Sequence, residues 1–134
     1  MAVSDSVSPR KGVVVVVEDD YFVMDFLRFS LEHQGYEVYV SMDGKEGLDL
    51  IQKRRPALVV LDLMLPTMDG FSVLKKLGED PETAHIPVVV ASAYTVSEST
   101  RRMVESQKNV RGIFSKPIRA QEFADKVKAI CEAG

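Results

Sequence analysis

Cysteine is nearly missing from this chain. Cys131 stands alone, which excludes an internal disulfide and fits a reducing cytosol, so a cytoplasmic location is expected. Its expected role is packing on the last helix. An excess of positive charge is missing too: 17 Lys and Arg face 20 Asp and Glu, a net charge of −3. No broad basic field draws the protein to nucleic acid or to an anionic membrane surface. The Arg54-Arg55 and Arg101-Arg102 pairs read as solvated charge. Apolar runs long enough to span a bilayer are also lacking, so no membrane insertion is expected. The first 11 residues are polar, have no long apolar centre and end in Arg10-Lys11, unlike a secretion signal. They read as a flexible tail before one domain over residues 12–132.

What is present is alternation. Five valines, Val13–Val17, enter from Gly12 and run into Glu18, Asp19 and Asp20. A β-branched run of this kind reads as a strand buried on both faces. Helical spacing follows over Tyr21–His33, with Val23, Phe26, Leu27, Ser30 and Leu31 recurring and Gly35 ending the helix. Further strands are expected at Tyr36–Val40, Ala57–Leu61, Ile86–Ala91 and Val110–Phe114. Further helices are expected at Asp43–Arg54, Asp69–Leu77, Ser97–Gln107 and Ala120–Cys131. Gly47, Leu48 and Ile51 should face inward on the second helix, and Phe123, Val127 and Ile130 on the last. Phe22, Phe26 and Phe29 read as core and rim. Five repeats of strand then helix predict an α/β fold with a parallel sheet and helices on both faces.

In open sheets of this type, ligands bind beyond the carboxyl ends of the strands. The residues found there are Glu18, Asp19 and Asp20, then Asp62, Ser92 and Lys116. Grouped carboxylates repel one another, and a hard divalent cation relieves the repulsion through oxygen ligands. Each residue also has a plainer role. Asp20 suits the cap of the following helix, with Glu18 and Asp19 in water. Asp62 is a further candidate cap, Ser92 a turn residue, and Lys116 a surface lysine.

Four motifs in this order resemble the receiver domain of bacterial two-component response regulators: VVED at 16–19, DLMLPTMDG at 62–70, VVVASA at 88–93 and SKP at 115–117. The resemblance spans nearly the whole chain. It implies a flavodoxin-like, doubly wound, five-stranded sheet of order 2-1-3-4-5 with five helices. It also implies phosphorylation of Asp62 by a histidine kinase or phosphotransfer protein. Mg²⁺ (or Mn²⁺) would be held by Asp19, Asp62 and the backbone carbonyl of Met64, with Glu18 assisting through water. Lys116, Ser92 and Ala93 would hold phosphoryl oxygens, and Lys116-Pro117 would be cis. A downstream protein partner is implied, as is a homodimer through the last two helices. Direct contact with nucleic acid is not. The chain reads as a stand-alone receiver or one cut from a longer regulator.

The chain departs from the family pattern in three ways. Ile113 stands where the family places an aromatic ring that swings inward, and Phe114 faces the other side of the strand. The link before the last strand lacks the usual Gly-Ala, and Asn109 is the candidate left-handed cap in its place. Met64 and Tyr94 flank the expected path of hydrolytic water without a group to orient it, which predicts slow self-dephosphorylation. The competing functions fit less well. A phosphohydrolase with an aspartyl-phosphate intermediate places a second Asp where Met64 stands. An FMN binder needs a hydroxyl- and glycine-rich phosphate loop where this chain has three acids. A degenerate receiver would have no need of Asp62, Lys116 and the paired acids.

Overall fold

The computed structural model describes residues 11–92 and 97–133. Ten elements alternate: β1 (Val13–Val17), α1 (Tyr21–His33), β2 (Glu37–Ser41), α2 (Gly44–Arg54), β3 (Leu58–Asp62), α3 (Gly70–Glu79), β4 (Val88–Ser92), α4 (Glu98–Glu105), β5 (Val110–Ser115) and α5 (Ala120–Ala133). The strands form one sheet of order β2-β1-β3-β4-β5, and every neighbouring pair is parallel.

The valine run supplies core to both faces. Val15 and Val17 join α2, α3 and α4 in one cluster, while Val14 and Val16 join α1 and α5 in the other. All four are fully buried. At roughly 1.5–3 kcal/mol for each buried Val, Leu or Ile side chain, the sheet is the main source of stability.

Helix ends follow local chemistry. Asp20, Asp43 and Asp69 cap α1, α2 and α3 by accepting backbone N–H bonds, and Ser97 does the same for α4. Gly35, at φ 103°, closes α1: its N–H donates to Glu32 O at 3.0 Å and that of Tyr36 to Leu31 O at 3.1 Å. The element bounds differ from those expected by at most two residues, and α2, α3 and α4 each start one residue later because the capping residue lies just outside its helix. The α4 helix is the shortest and buries only Val104.

Three expectations change. Met24, outside the expected inward set, is buried on α1, whereas Phe22 and Phe29 are exposed, at 83% and 71%. Helical period fixes which residues share a stripe but not which stripe meets the sheet. Asn109 is not left-handed: the only non-glycine residues with positive φ among those described are Arg55 and Thr67. The α4 helix instead ends through Ser106 in right-handed geometry, and the Asn109 carbonyl accepts Val88 N–H at 2.7 Å. The pairing then passes from Val88–Val110 to Val89–Gly112, so Arg111 is the extra residue of a bulge that takes up the added length. Lys116-Pro117 is cis, as expected.

Candidate functional site

The carboxyl ends of β1 and β3 lie side by side, with Val17 opposite Leu61. One step further along, Glu18, Asp19 and Asp62 each place a carboxylate oxygen within 4.8 Å of the others. Glu18 and Asp62 are buried, Asp19 exposed. Such an oxygen set suits a hard divalent cation. Asp20 stays apart: its side chain accepts from Phe22 N–H and Val23 N–H at 3.0 and 3.2 Å, while its own N–H donates to Glu18 Oε2 at 2.9 Å.

Lys116 closes the site from the end of β5. Its Nζ lies 2.7 Å from Glu18 Oε1 and 3.3 Å from Asp62 Oδ2. The other Asp62 oxygen accepts Met64 N–H at 3.1 Å, so the loop after β3 fixes the carboxylate's rotation. Burial pushes the Glu18 carboxyl up to about 7, against the pull of Lys116 and of Asp20 N–H. Burial alone would lower the Lys116 ammonium, but the Glu18 and Asp62 carboxylates outweigh it and raise it. Three carboxylates therefore share one lysine at the strand ends.

Ser92 is buried at the end of β4, and its carbonyl accepts Lys116 N–H at 2.7 Å, which ties the β4 and β5 ends together. Ala93 and Tyr94 lie outside the described residues. The Met64 side chain is exposed. Ile113 packs with the α2–α3–α4 cluster, and Phe114 packs on the opposite face against Phe123, ring centroids 5.8 Å apart. The two are on opposite sides of β5, as the period of two requires.

Two features were not legible in the sequence. The first is the direct pairing of Lys116 with both acids. The second is an apolar cavity of about 230 Å³ beside it, lined by Phe22, Val23, Phe26, Pro117 and Ile118. The signal for the cavity was Phe22, one helical turn before Phe26 and close in sequence to the acids.

Fold and site together define a doubly wound α/β protein with a carboxylate–lysine centre at its strand ends. Residues 14–128 match the response regulator receiver domain, and the chain belongs to that family, a module of two-component signalling. It is 34% identical over 116 residues to the polar-differentiation response regulator DivK of Brucella anthropi, covering 87% of this chain and 93% of that protein. DivK of Brucella ovis gives the same identity and coverage. Among solved structures, a putative response regulator from Chloroflexus aurantiacus aligns at TM-score 0.80 and 28% identity, covering 90% of this chain and 97% of that one. The receiver domain of a sensor histidine kinase from Pseudomonas aeruginosa, solved with a magnesium ion coordinated in its active site cleft, aligns at TM-score 0.79. Its 18% identity, with coverage of 90% and 97%, shows the shared fold alone. No helix among the described residues is long and apolar enough to cross a membrane.

Proposed function

We propose that residues 12–132 form a phosphoacceptor receiver, phosphorylated on Asp62 from a histidine kinase or phosphotransfer protein and switching the affinity of a downstream protein partner. The observation that carries this reading is the convergence of Glu18, Asp19 and Asp62 oxygens within 4.8 Å beside the Lys116 ammonium. The donor set fits Mg²⁺ or Mn²⁺, held by Asp19, Asp62 and the Met64 carbonyl with Glu18 in support. When bound, the ion supplies charge neutralisation for the incoming phosphoryl group.

The chain's own residues do the rest. Asp62 is a strand-end carboxylate, held in orientation by Met64 N–H, and acts as the nucleophile toward phosphorus. Its P–O bond forms as the donor's P–N bond breaks, and the imidazole leaves with the electron pair. Lys116, already against Asp62, passes to a phosphoryl oxygen. Ser92 and Ala93 hold the remaining oxygens. The added charge favours a second arrangement of the strand-end loops and α4, which the partner reads. Ile113 takes no part in an aromatic switch. Met64 and Tyr94 leave hydrolytic water unoriented, so the signal is long-lived.

The test is incubation with acetyl phosphate and Mg²⁺, followed by mass measurement. A gain of about one phosphoryl group is expected, lost in Asp62→Asn. No gain in the wild type would overturn the reading. For the signal's lifetime, decay of the Asp62 phosphate in excess Mg²⁺ is expected over minutes or longer. A half-life of seconds, unchanged by Met64→Asn, would refute slow decay.

A further inference from the structure

The loop that leaves Asp62 is held at its far side by the start of α2. Its base is closed by Gly70 N–H donating to Leu63 O at 2.9 Å. Its apex makes three hydrogen bonds across to α2. Gly44 N–H donates to Pro66 O at 3.1 Å, Lys45 N–H donates to Thr67 Oγ1 at 3.2 Å, and Thr67 Oγ1 donates to Asp43 Oδ1 at 2.7 Å. The fit is close: a Cβ on Gly44 would lie 1.7 Å from Met68 O.

Asp43 is anchored in turn. Its Oδ1 also accepts Glu46 N–H at 2.9 Å, and its carbonyl accepts the buried Ser41 hydroxyl at 3.0 Å. The Ser41 carbonyl accepts Glu18 N–H at 2.9 Å. A continuous set of hydrogen bonds therefore runs from the Glu18 backbone, through the β2–α2 turn, to the loop that orients Asp62.

Thr67 is the one member with an unfavourable backbone. Its φ of 63° is left-handed, which a β-branched residue adopts rarely and Gly or Asn adopts readily. A connection that only had to turn here would be better served by either. What Thr67 adds is a hydroxyl that accepts from Lys45 N–H in the first turn of α2 and donates to the capping Asp43.

Resting on the phosphoacceptor reading above, we propose that Thr67 is a positioning residue: its hydroxyl clamps the β3–α3 loop to the N-terminus of α2 and so sets where Asp62 and the Met64 carbonyl stand for metal binding. It touches neither metal nor phosphoryl group. Outer groups that hold ligands in place commonly change metal affinity by roughly 10–100-fold when removed.

The test uses the full chain with Mn²⁺ as probe, read by the electron paramagnetic resonance of free Mn²⁺, and amide hydrogen exchange of the metal-free protein. Thr67→Val keeps the shape and removes the hydroxyl. It is expected to weaken Mn²⁺ binding roughly tenfold and to speed exchange at Met64, Met68 and Gly70. Thr67→Ser should restore both. Thr67→Gly relieves the backbone, so its melting temperature should hold or rise while Mn²⁺ binding weakens as in Thr67→Val, a split that a merely structural role would not produce. Unchanged exchange at Met64 and Gly70 in Thr67→Val would overturn the proposal, as would wild-type Mn²⁺ affinity in Thr67→Gly. The exchange arm reads the clamp without metal or phosphate. A wild type that took no phosphoryl group would therefore sink the phosphoacceptor reading and leave the clamp separately decided.

Discussion

Helices α2 and α4 pack on the same face of the sheet but are held very differently. The α2 helix buries Gly44, Gly47, Leu48 and Ile51, and its first turn is hydrogen-bonded to the loop that follows Asp62. Among the described residues, the α4 helix buries Val104 alone, leaves Met103 half exposed, and carries one solvent-facing ion pair, Arg101–Glu105 at 3.6 Å. Exposed pairs contribute little, so α4 is retained by about one side chain's worth of burial. The difference divides labour within the domain. The side that holds the acids is fixed, and the side next to Ser92 is cheap to displace. Segments that move in regulation come from the weakly held end of a protein's stability range.

The contrast can be broken most severely at the fixed side. A Cβ on Gly70 would sit 2.2 Å from Asp62 O and 2.6 Å from Leu63 Cα, both backbone atoms that cannot yield without moving the site. Gly70→Ala is expected to lower stability by about 4 kcal/mol in urea unfolding. A loss under about 1 kcal/mol would mean that the loop is softer than its packing implies.

The second largest effect is electrostatic. The Glu18 carboxyl stands at about 7 in the fold against 4.5 when unfolded, so between these values the native state binds more protons than the unfolded chain. The Glu18 contribution to metal-free stability is therefore full below about 4.5 and falls as pH rises toward 7, by up to roughly 3 kcal/mol. Lys116, raised above its usual range, is charged in both states across this window. Asp43 is held low by Glu46 N–H and then the Thr67 hydroxyl, so its contribution is lost as pH falls, opposite in sign to that of Glu18. Glu18→Gln should abolish the slope; a slope that survives has another source.

At the weakly held side, Val104→Ala should cost about 2 kcal/mol in local stability. The loss should appear as faster amide exchange confined to α4, with β3 amides unchanged. Exchange that rises across the whole sheet would show that α4 is not a separate unit. The smallest effect sharpens the comparison at the helix ends. Arg55 closes α2 at φ 45°, while α4 ends right-handed. Arg55→Gly removes the left-handed strain and an exposed ion pair with Glu82. A net stabilisation below about 1 kcal/mol is expected from the melting temperature, whereas a clear loss would make that ion pair worth more than exposed pairs usually are.

Val13–Val17, Leu58–Leu61 and Val88–Ala91 could be read as buried strands because a doubly covered parallel strand needs apolar residues at every position. Glu18, Asp19, Asp62 and Lys116 could be read as a site because strand ends in such a sheet share one edge. Phe22 and Phe29 could not be placed, since a helix rich in aromatics has more than one apolar stripe. Asn109 was misread because the bulge at Arg111 is decided by pairing with β4, not by residues near Asn109.

By itself, then, the sequence determined the strands, the cap at Asp20, and the chemical types gathered at the strand ends. These are consequences of side-chain period and local backbone chemistry, written over a few neighbouring residues. Tertiary structure alone decided that Lys116 meets Asp62 across 54 residues and that Thr67 meets Asp43 across 24. Those partners are set by strand order and by the height at which each loop leaves the sheet, and no local pattern encodes either.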